Sequence, residues 1–405
     1  MPTHISRRSL LGSTATAMAA GQAIPGFDNT RTTYDTAKPW KPFSDRKIRV
    51  GLVGYGLCKF SAEFDFQNHP NVEVVAVSDL VPDRRAALAE RVKCPTTYPS
   101  LEELVKDDRI EAVFVATDAP SHARHSIEVL NHGKHVSTAV PAFRGDIEDA
   151  ERLLECVKKN SGLVYAMFET SVFHDDLYAM EKLCAAGVFG HIVYCEGEYC
   201  HPHTLGAPPL ESYNDWRRMG APMWYPTHAT AYYVGVTHGS FVEVSCLGTA
   251  LFDKSKRQPN AIGNIFNSEV GLFRTSEGGL CRIIICGSQG EYLEAGRLRG
   301  EYAGYDWHNG RSSGFVGDAA GKQRLKEAMA KGLQTKKYAL PPGVSPGGHG
   351  GSHGYLADDF IDAILRKRRP AVDVIDALNM TTPGYYAHLS AMKDGEIKKI
   401  PQYSL

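Results

Sequence analysis

The chain predicts an α/β fold in two parts. The first is a doubly wound parallel sheet over residues 48–166, and the second is an α+β domain over 167–405 with an open, largely antiparallel sheet. Three observations carry this reading. A short apolar run, Ile48 to Val53, ends on a Gly-x-Gly turn. Strand-length and helix-length segments then alternate as far as residue 166, as parallel units require. Beyond a helix at 175–186, runs of strand length follow the helical segments.

Residues 1–47 precede both parts. Arg7 and Arg8 are followed by small, mildly apolar residues, which fits a twin-arginine export signal cut near Ala17 to Ala20. The run is too short for a membrane helix. Residues 25–47 are rich in Pro, Thr, Lys and Asp and read as a linker. The expected location is therefore the periplasm or beyond. About 355 residues remain, which suits two domains. Lys and Arg total 45 against 46 Asp and Glu, so no basic field favours nucleic acid. Nine cysteines without C-x-x-C spacing read as scattered buried thiols, neither a disulfide framework nor a metal site. No membrane partner is expected.

In the first part, Gly54 and Gly56 allow a tight turn and close approach of the backbone to a pyrophosphate, with the amides of a following helix facing its charge. A second strand, Val72 to Val77, ends at Asp79, 23 residues beyond Gly56. A carboxylate there suits the ribose hydroxyls of NAD and repels a 2′-phosphate. Lys59 stands where a third glycine is usual. A third strand, Glu111 to Ala116, leads to Thr117 and His122, and a further helix and strand lead to Pro141. These features define a Rossmann domain.

The order of these pieces resembles the glucose–fructose oxidoreductase / inositol dehydrogenase family (Gfo/Idh/MocA). The pieces are Gly54-Tyr55-Gly56, Asp79, Ala116-Thr117 with His122, and Gly133-Lys134-His135-Val136 leading to Pro141. The resemblance implies NAD contacts at Gly54, Tyr55, Gly56, Leu57, Asp79, Thr117, His122 and Pro141. In the family's dehydrogenases the proline follows Glu-Lys, and that lysine moves the proton of the oxidised hydroxyl. Here Ala139-Val140 stand instead, and valine carries no proton.

In the second part, strands are expected from Ile192 to Tyr199, Phe241 to Leu247, Gly271 to Thr275, Leu280 to Cys286 and Tyr292 to Leu298. Ser276 to Gly279 form a hairpin turn. Helices at 354–367 and 373–393 are implied by the resemblance to return to the first domain. Polar and aromatic residues gather in three segments: Glu198 to His203, Asp215 to His228, and Gly347 to His353.

Tyr199 with His201, and Tyr225 to His228, are similar to a narrower group, the exported NAD-dependent glycosidases typified by alpha-N-acetylgalactosaminidases. That resemblance implies Tyr199, His201 and His228 as catalytic residues. The group's acidic-leucine-arginine continuation is replaced here by Pro202-His203-Thr204. The implied chemistry is transient oxidation of a ring carbon, elimination of the glycosidic oxygen, addition of water and re-reduction. Ordinary glycosidases need a carboxylate pair at fixed spacing, and this route does not. It also suits a compartment without free NAD, because the cofactor is restored within each turnover. A sugar or polyol dehydrogenase, or a sugar–sugar oxidoreductase, is the alternative.

Several positions admit two readings. His228 either reacts or caps a helix beginning near Ala229. Trp216 and Arg217 either stack on and clamp a sugar or pack in the core. Glu169 faces either the cleft or solvent, and with Tyr225 completes the sugar contacts. His349 and His353, set among glycines, read as ligand-contacting loop residues and not as a helical metal pair. Arg366 to Arg369 read as a solvated helix end. The partner expected is a small carbohydrate, with homo-oligomers implied by the family's open sheets.

Overall fold

A computed structural model describes residues 38–201, 216, 220–257, 259–260, 262–287, 290–308 and 314–405. Arg7, Arg8, the expected export signal, His203 and Arg217 lie outside them.

The first sheet has strands β1 (Ile48–Val53), β2 (Val72–Ser78), β3 (Thr97–Tyr98), β4 (Ala112–Val115), β5 (His135–Thr138) and β6 (Tyr165–Met167). All pair in parallel, in the order β3-β2-β1-β4-β5-β6. Every residue of β4 is buried, as a strand covered on both faces requires. The helices are α1 (Phe60–Glu63), α2 (Pro82–Arg91), α3 (Leu101–Leu104), α4 (His122–Asn131) and α5 (Glu148–Lys159). In α5, Ala150, Leu153, Leu154 and Val157 make one buried stripe. Its first turn is acidic and its last holds Lys158 and Lys159, which complements the helix dipole.

The second sheet has strands β7 (Ile192–Cys200), β8 (Phe241–Ala250), β9 (Phe266–Thr275), β10 (Leu280–Cys286), β11 (Leu293–Gly300), β12 (Ala303–His308), β13 (Gly314–Gly317) and β14 (Lys398–Lys399). Their order is β13-β12-β11-β7-β10-β9-β8-β14, and among the described residues only β7 and β10 run parallel. The expected hairpin turn joins β9 to β10, with Gly278 at φ 91°. Helices α6 (Asp175–Ala185), α7 (Thr227–Thr237), α8 (Ala319–Ala330), α9 (His353–Arg366) and α10 (Val374–Ala391) complete the chain.

The last two long helices do return to the first sheet. Phe360 of α9 packs edge-on against Phe66 and Phe168, and Phe168 stacks on Phe114 of β4. Each such aromatic pair adds about 0.5–1.5 kcal/mol beyond the area it buries. Asp373 caps α10 by accepting from the amides of Ile375 and Asp376. The Thr230 hydroxyl of α7 donates to the Met380 carbonyl of α10 at 2.8 Å. Gly384 lets α10 approach the Pro222–Trp224 turn; a Cβ there would stand 1.8 Å from the Met223 carbonyl oxygen.

Three expectations are corrected. The helix after the glycine turn is a single turn, α1, beginning beyond Lys59, whose backbone is left-handed (φ 52°) where glycine is usual. Its dipole contribution is correspondingly small. Part of the linker packs on the body: Trp40 Nε1 donates to Asp358 Oδ1 at 3.2 Å, and Asn71 Nδ2 donates to the Ser44 and Arg46 carbonyls. The basic run at the end of α9 is solvated only in its first half: Arg366 and Lys367 are exposed, whereas Arg368 and Arg369 are 3% and 7% exposed. Arg368 pairs with Asp359 and Asp362 at 2.8 Å each, and Arg369 pairs with Asp373. Burial raises the Asp359 carboxyl pKa above its usual value, against the pull of Arg368.

Candidate active site

One groove runs from the glycine turn of the first sheet to the aromatic residues of the second. Gly54, Asp79 and Thr117 line one end, and Trp216 and Tyr225 the other. Gly54 sits at φ 93°, and a Cβ on it would lie 2.3 Å from the Ala116 carbonyl oxygen. Only glycine fits that turn between β1 and β4. A Cβ on Gly56 would meet nothing within 4 Å, so its backbone is bare toward the groove. Asp79, at the end of β2, is held by two amides. Tyr55 N donates to Oδ2 at 2.6 Å and Val81 N donates to Oδ1 at 2.8 Å. A bare backbone beside a fixed carboxylate is the donor and acceptor set that a dinucleotide's pyrophosphate and ribose need.

Of the residues expected at the cofactor, Gly54, Gly56, Leu57, Asp79, Thr117 and His122 line the groove. Tyr55 contributes the amide that fixes Asp79. Pro141 offers its carbonyl to His122 Nδ1 at 2.8 Å, while His122 Nε2 stands 3.1 Å from the Thr117 carbonyl. Burial lowers the His122 pKa, and the neutral ring it favours donates to only one of these two carbonyls at a time.

The expected catalytic residues come together. Around Tyr199 of β7, ring centroids lie 4.6 Å away for His228, 5.8 Å for His201 and 5.9 Å for Tyr225. Trp216 packs 5.6 Å from Tyr225. Arg144, on the loop after Pro141, lies 4.9 Å over the Trp216 ring and donates to its carbonyl. Trp216 is thus gripped from the first domain, and it lines the groove instead of lying in the core.

His228 does not cap α7; it lies in the first turn with its ring turned onto Glu169. Glu169 faces neither cleft water nor solvent. It is fully buried at the end of β6, with Oε1 2.7 Å from His228 Nδ1 and 3.0 Å from the Ser171 amide. Burial alone would raise its pKa, but the neighbouring His228 charge and hydrogen bonds outweigh burial and hold it at about 2. The Ser171 hydroxyl continues the network, donating to Glu294 Oε1 at 2.6 Å, and the Tyr292 hydroxyl donates to Glu294 Oε2 at 3.0 Å.

His349 and His353 are joined to each other, Nδ1 to Nε2 at 2.8 Å, and pack on Phe60 and Phe64 of the first domain. The His349 carbonyl lies 3.0 Å from His174 Nε2, and His174 Nδ1 is 3.4 Å from Glu294. Burial pushes the His349 pKa down to about 3 and that of His353 to about 4, so both are neutral near pH 7. Among the described residues no group of three or more His, Cys, Asp or Glu could hold a metal ion.

Sequence reasoning missed Ser171, His174, Tyr292 and Glu294. It also missed Glu269, which takes the Met223 amide at 2.8 Å and pairs with His388 Nδ1 at 2.7 Å. This second buried pair fixes the turn that carries Tyr225 and His228.

Groove and fold together define an NAD-binding oxidoreductase domain. Residues 48–168 match the family model described as "Oxidoreductase family, NAD-binding Rossmann fold", and this first domain is of the Gfo/Idh/MocA type. Among proteins, the chain is similar to "Glycosyl hydrolase family 109 protein 1" of Bacteroides fragilis, 29% identical over 185 residues. That match covers 42% of this chain and 38% of the relative, so it spans well under half of that protein's length. A "Glycosyl hydrolase family 109 protein" of Solibacter usitatus is 24% identical over 395 residues and 88% of each chain. In fold, levoglucosan dehydrogenase in complex with NADH superposes at TM-score 0.69 and 16% identity, over 88% of this chain and all of that one.

Proposed function

We propose that this protein is an NAD-dependent sugar-active enzyme, a glycoside hydrolase that works with no net redox change. One observation carries the reading: the cofactor groove opens onto Trp216, Tyr225 and the Tyr199–His228 cluster, with Val140 where a dehydrogenase lysine would stand. The names of the Bacteroides and Solibacter relatives support it.

Asp79 would hold the ribose hydroxyls, and the bare turn at Gly56 would meet the pyrophosphate. Bound NAD supplies a reversible two-electron store, so a sugar carbon oxidised early in turnover is restored at its end. The rest falls to this chain's side chains. Trp216 and Tyr225 offer aromatic faces to a sugar ring. A carbonyl in the sugar acidifies the adjacent C–H enough for a modest base. Glu169 occupies His228 Nδ1, so proton exchange with substrate falls to Nε2. Tyr199 and His201 serve the hydroxyl and leaving-group protons.

Incubating the purified protein with aryl glycosides in heavy water, without added NAD, tests the reading. Cleavage with deuterium gained beside the oxidised carbon is expected. Inertness across a broad glycoside panel, with NADH accumulating on a free sugar, would overturn it in favour of a dehydrogenase. Export through the twin-arginine route is part of the proposal, supported by Arg7 and Arg8. So is self-assembly through the open sheet, whose outward face exposes Leu247, Val270 and Leu272. Sedimentation showing only monomers would remove that last element.

A further inference from the structure

Four of the nine cysteines stand opposite one another on β7 and β10, the one parallel pair of the second sheet among the described residues. In the β7–β10 register, Cys195 faces Cys281 and Cys200 faces Cys286. Within each pair the two thiols are hydrogen-bonded. Parallel neighbours lie about 4.8 Å apart. That falls inside the Cα separations a disulfide accepts, roughly 4.4–6.8 Å, although the Cβ atoms of a disulfide prefer about 3.8 Å. A bridge is therefore reachable, but only with the strands leaning together by about 1 Å. Strain of that kind makes a bond easy to reduce again.

The two pairs differ in surroundings. Cys195 and Cys281 are fully enclosed in the core, and the Cys195 thiol is turned onto the Tyr232 carbonyl at 3.4 Å. Cys286 is half-buried and its sulfur accepts from the Ser268 hydroxyl at 2.9 Å. Cys200 beside it is buried. The hydrogen bond to Cys286 is the largest cause that raises the Cys200 pKa, with burial next. Cys286, half-buried and in contact with the Ser268 hydroxyl, is the more accessible sulfur of the pair and so the one that meets a reagent first. Cys200 lies between Tyr199 and His201, and the His201 amide donates to the Cys286 carbonyl at 2.8 Å.

We propose that Cys200 and Cys286 are a reversible oxidation site beside the aromatic cluster, closing to a disulfide on contact with a small-molecule disulfide, while Cys195 and Cys281 stay reduced. The Cys286 thiolate attacks one sulfur of the reagent, whose S–S bond breaks so that the other sulfur leaves as a thiolate, giving a mixed disulfide. The Cys200 thiol then loses its proton and attacks the Cys286 sulfur, expelling the second thiol. The protein loses two hydrogens and two electrons, and the reagent is reduced to two thiols. None of this depends on the hydrolase reading.

The test treats the native full chain with glutathione disulfide, quenches exchange with acid, unfolds the protein in denaturant with excess alkylating agent near neutral pH to label the remaining thiols, and maps the peptides. Cys58, exposed to solvent, reports that the reagent has reacted. A linked Cys200–Cys286 peptide pair is expected, reversed by dithiothreitol, with Cys195 and Cys281 alkylated. Cys286→Ser should lose the link, and Cys200→Ser should carry glutathione on Cys286 in its place. Alkylation of both Cys200 and Cys286 when Cys58 is fully modified overturns the proposal. A link at Cys195–Cys281 overturns it equally.

Discussion

Replacing Glu169 with glutamine isolates the charge of the buried Glu169–His228 pair. Glutamine keeps the size and the bond from the Ser171 amide, and it resembles the protonated acid. The stability lost should therefore equal what ionisation of this carboxylate contributes to folding. Its pKa falls from 4.5 to about 2 on folding, which corresponds to about 3 kcal/mol at pH 7. For a chain this long that is a fall in Tm of roughly 4 °C. A carboxylate with a depressed folded pKa contributes fully above its unfolded pKa and loses the contribution as pH falls through the folded value. The gap between wild type and Glu169→Gln should thus be constant above pH 5 and shrink to about half by pH 3. Urea midpoints of the two proteins, measured at several pH values from 7 to 3, give the answer. Equal midpoints at pH 7, or a gap that widens in acid, would refute the argument.

Other expectations follow from the same geometry. Gly54→Ala should not give a folded protein, because its Cβ meets the Ala116 carbonyl at 2.3 Å. Gly56→Ala has room for its methyl, so its urea midpoint should hold while NAD affinity, read by calorimetry, drops. Asp79→Ala removes the acceptor proposed for the ribose and should weaken NAD binding by about 10- to 100-fold. With pKa values of about 3 and 4, His349 and His353 cannot produce an inflection between pH 5 and 8. The pH–rate profile of His349→Gln should keep its shape there while its height changes. Arg7→Lys with Arg8→Lys should block export of a reporter fused to residues 1–47, as cell fractionation would reveal.

The cofactor end of the groove was legible because its signals are close in sequence. Gly54, Gly56 and Asp79 lie within one strand–turn–strand unit, and backbone geometry leaves few alternatives for such a unit. Tyr199, His201 and His228 were found by resemblance, and their convergence could not be read from spacing. The network behind them was not legible at all. Glu169 and His228 are 59 residues apart, and Ser171 and Glu294 are 123 apart. Glu294 sits in an ordinary-looking strand, and nothing in its neighbours announces a buried carboxylate. Arg368 and Arg369 were misread because composition cannot say which acids fold back to meet them. The cysteines were rightly read as mostly buried, but their facing pairs depend on strand register, which the sequence does not print.

The contact at Gly384 reaches further than its place in a helix suggests. Nothing larger than a hydrogen fits between that helix and the turn before Tyr225. A single added methyl would push the turn outward and carry Tyr225 and His228 with it. Tolerance to mutation should therefore be low at a position that makes no contact with substrate, one that a survey ranking residues by nearness to a sugar would leave untouched.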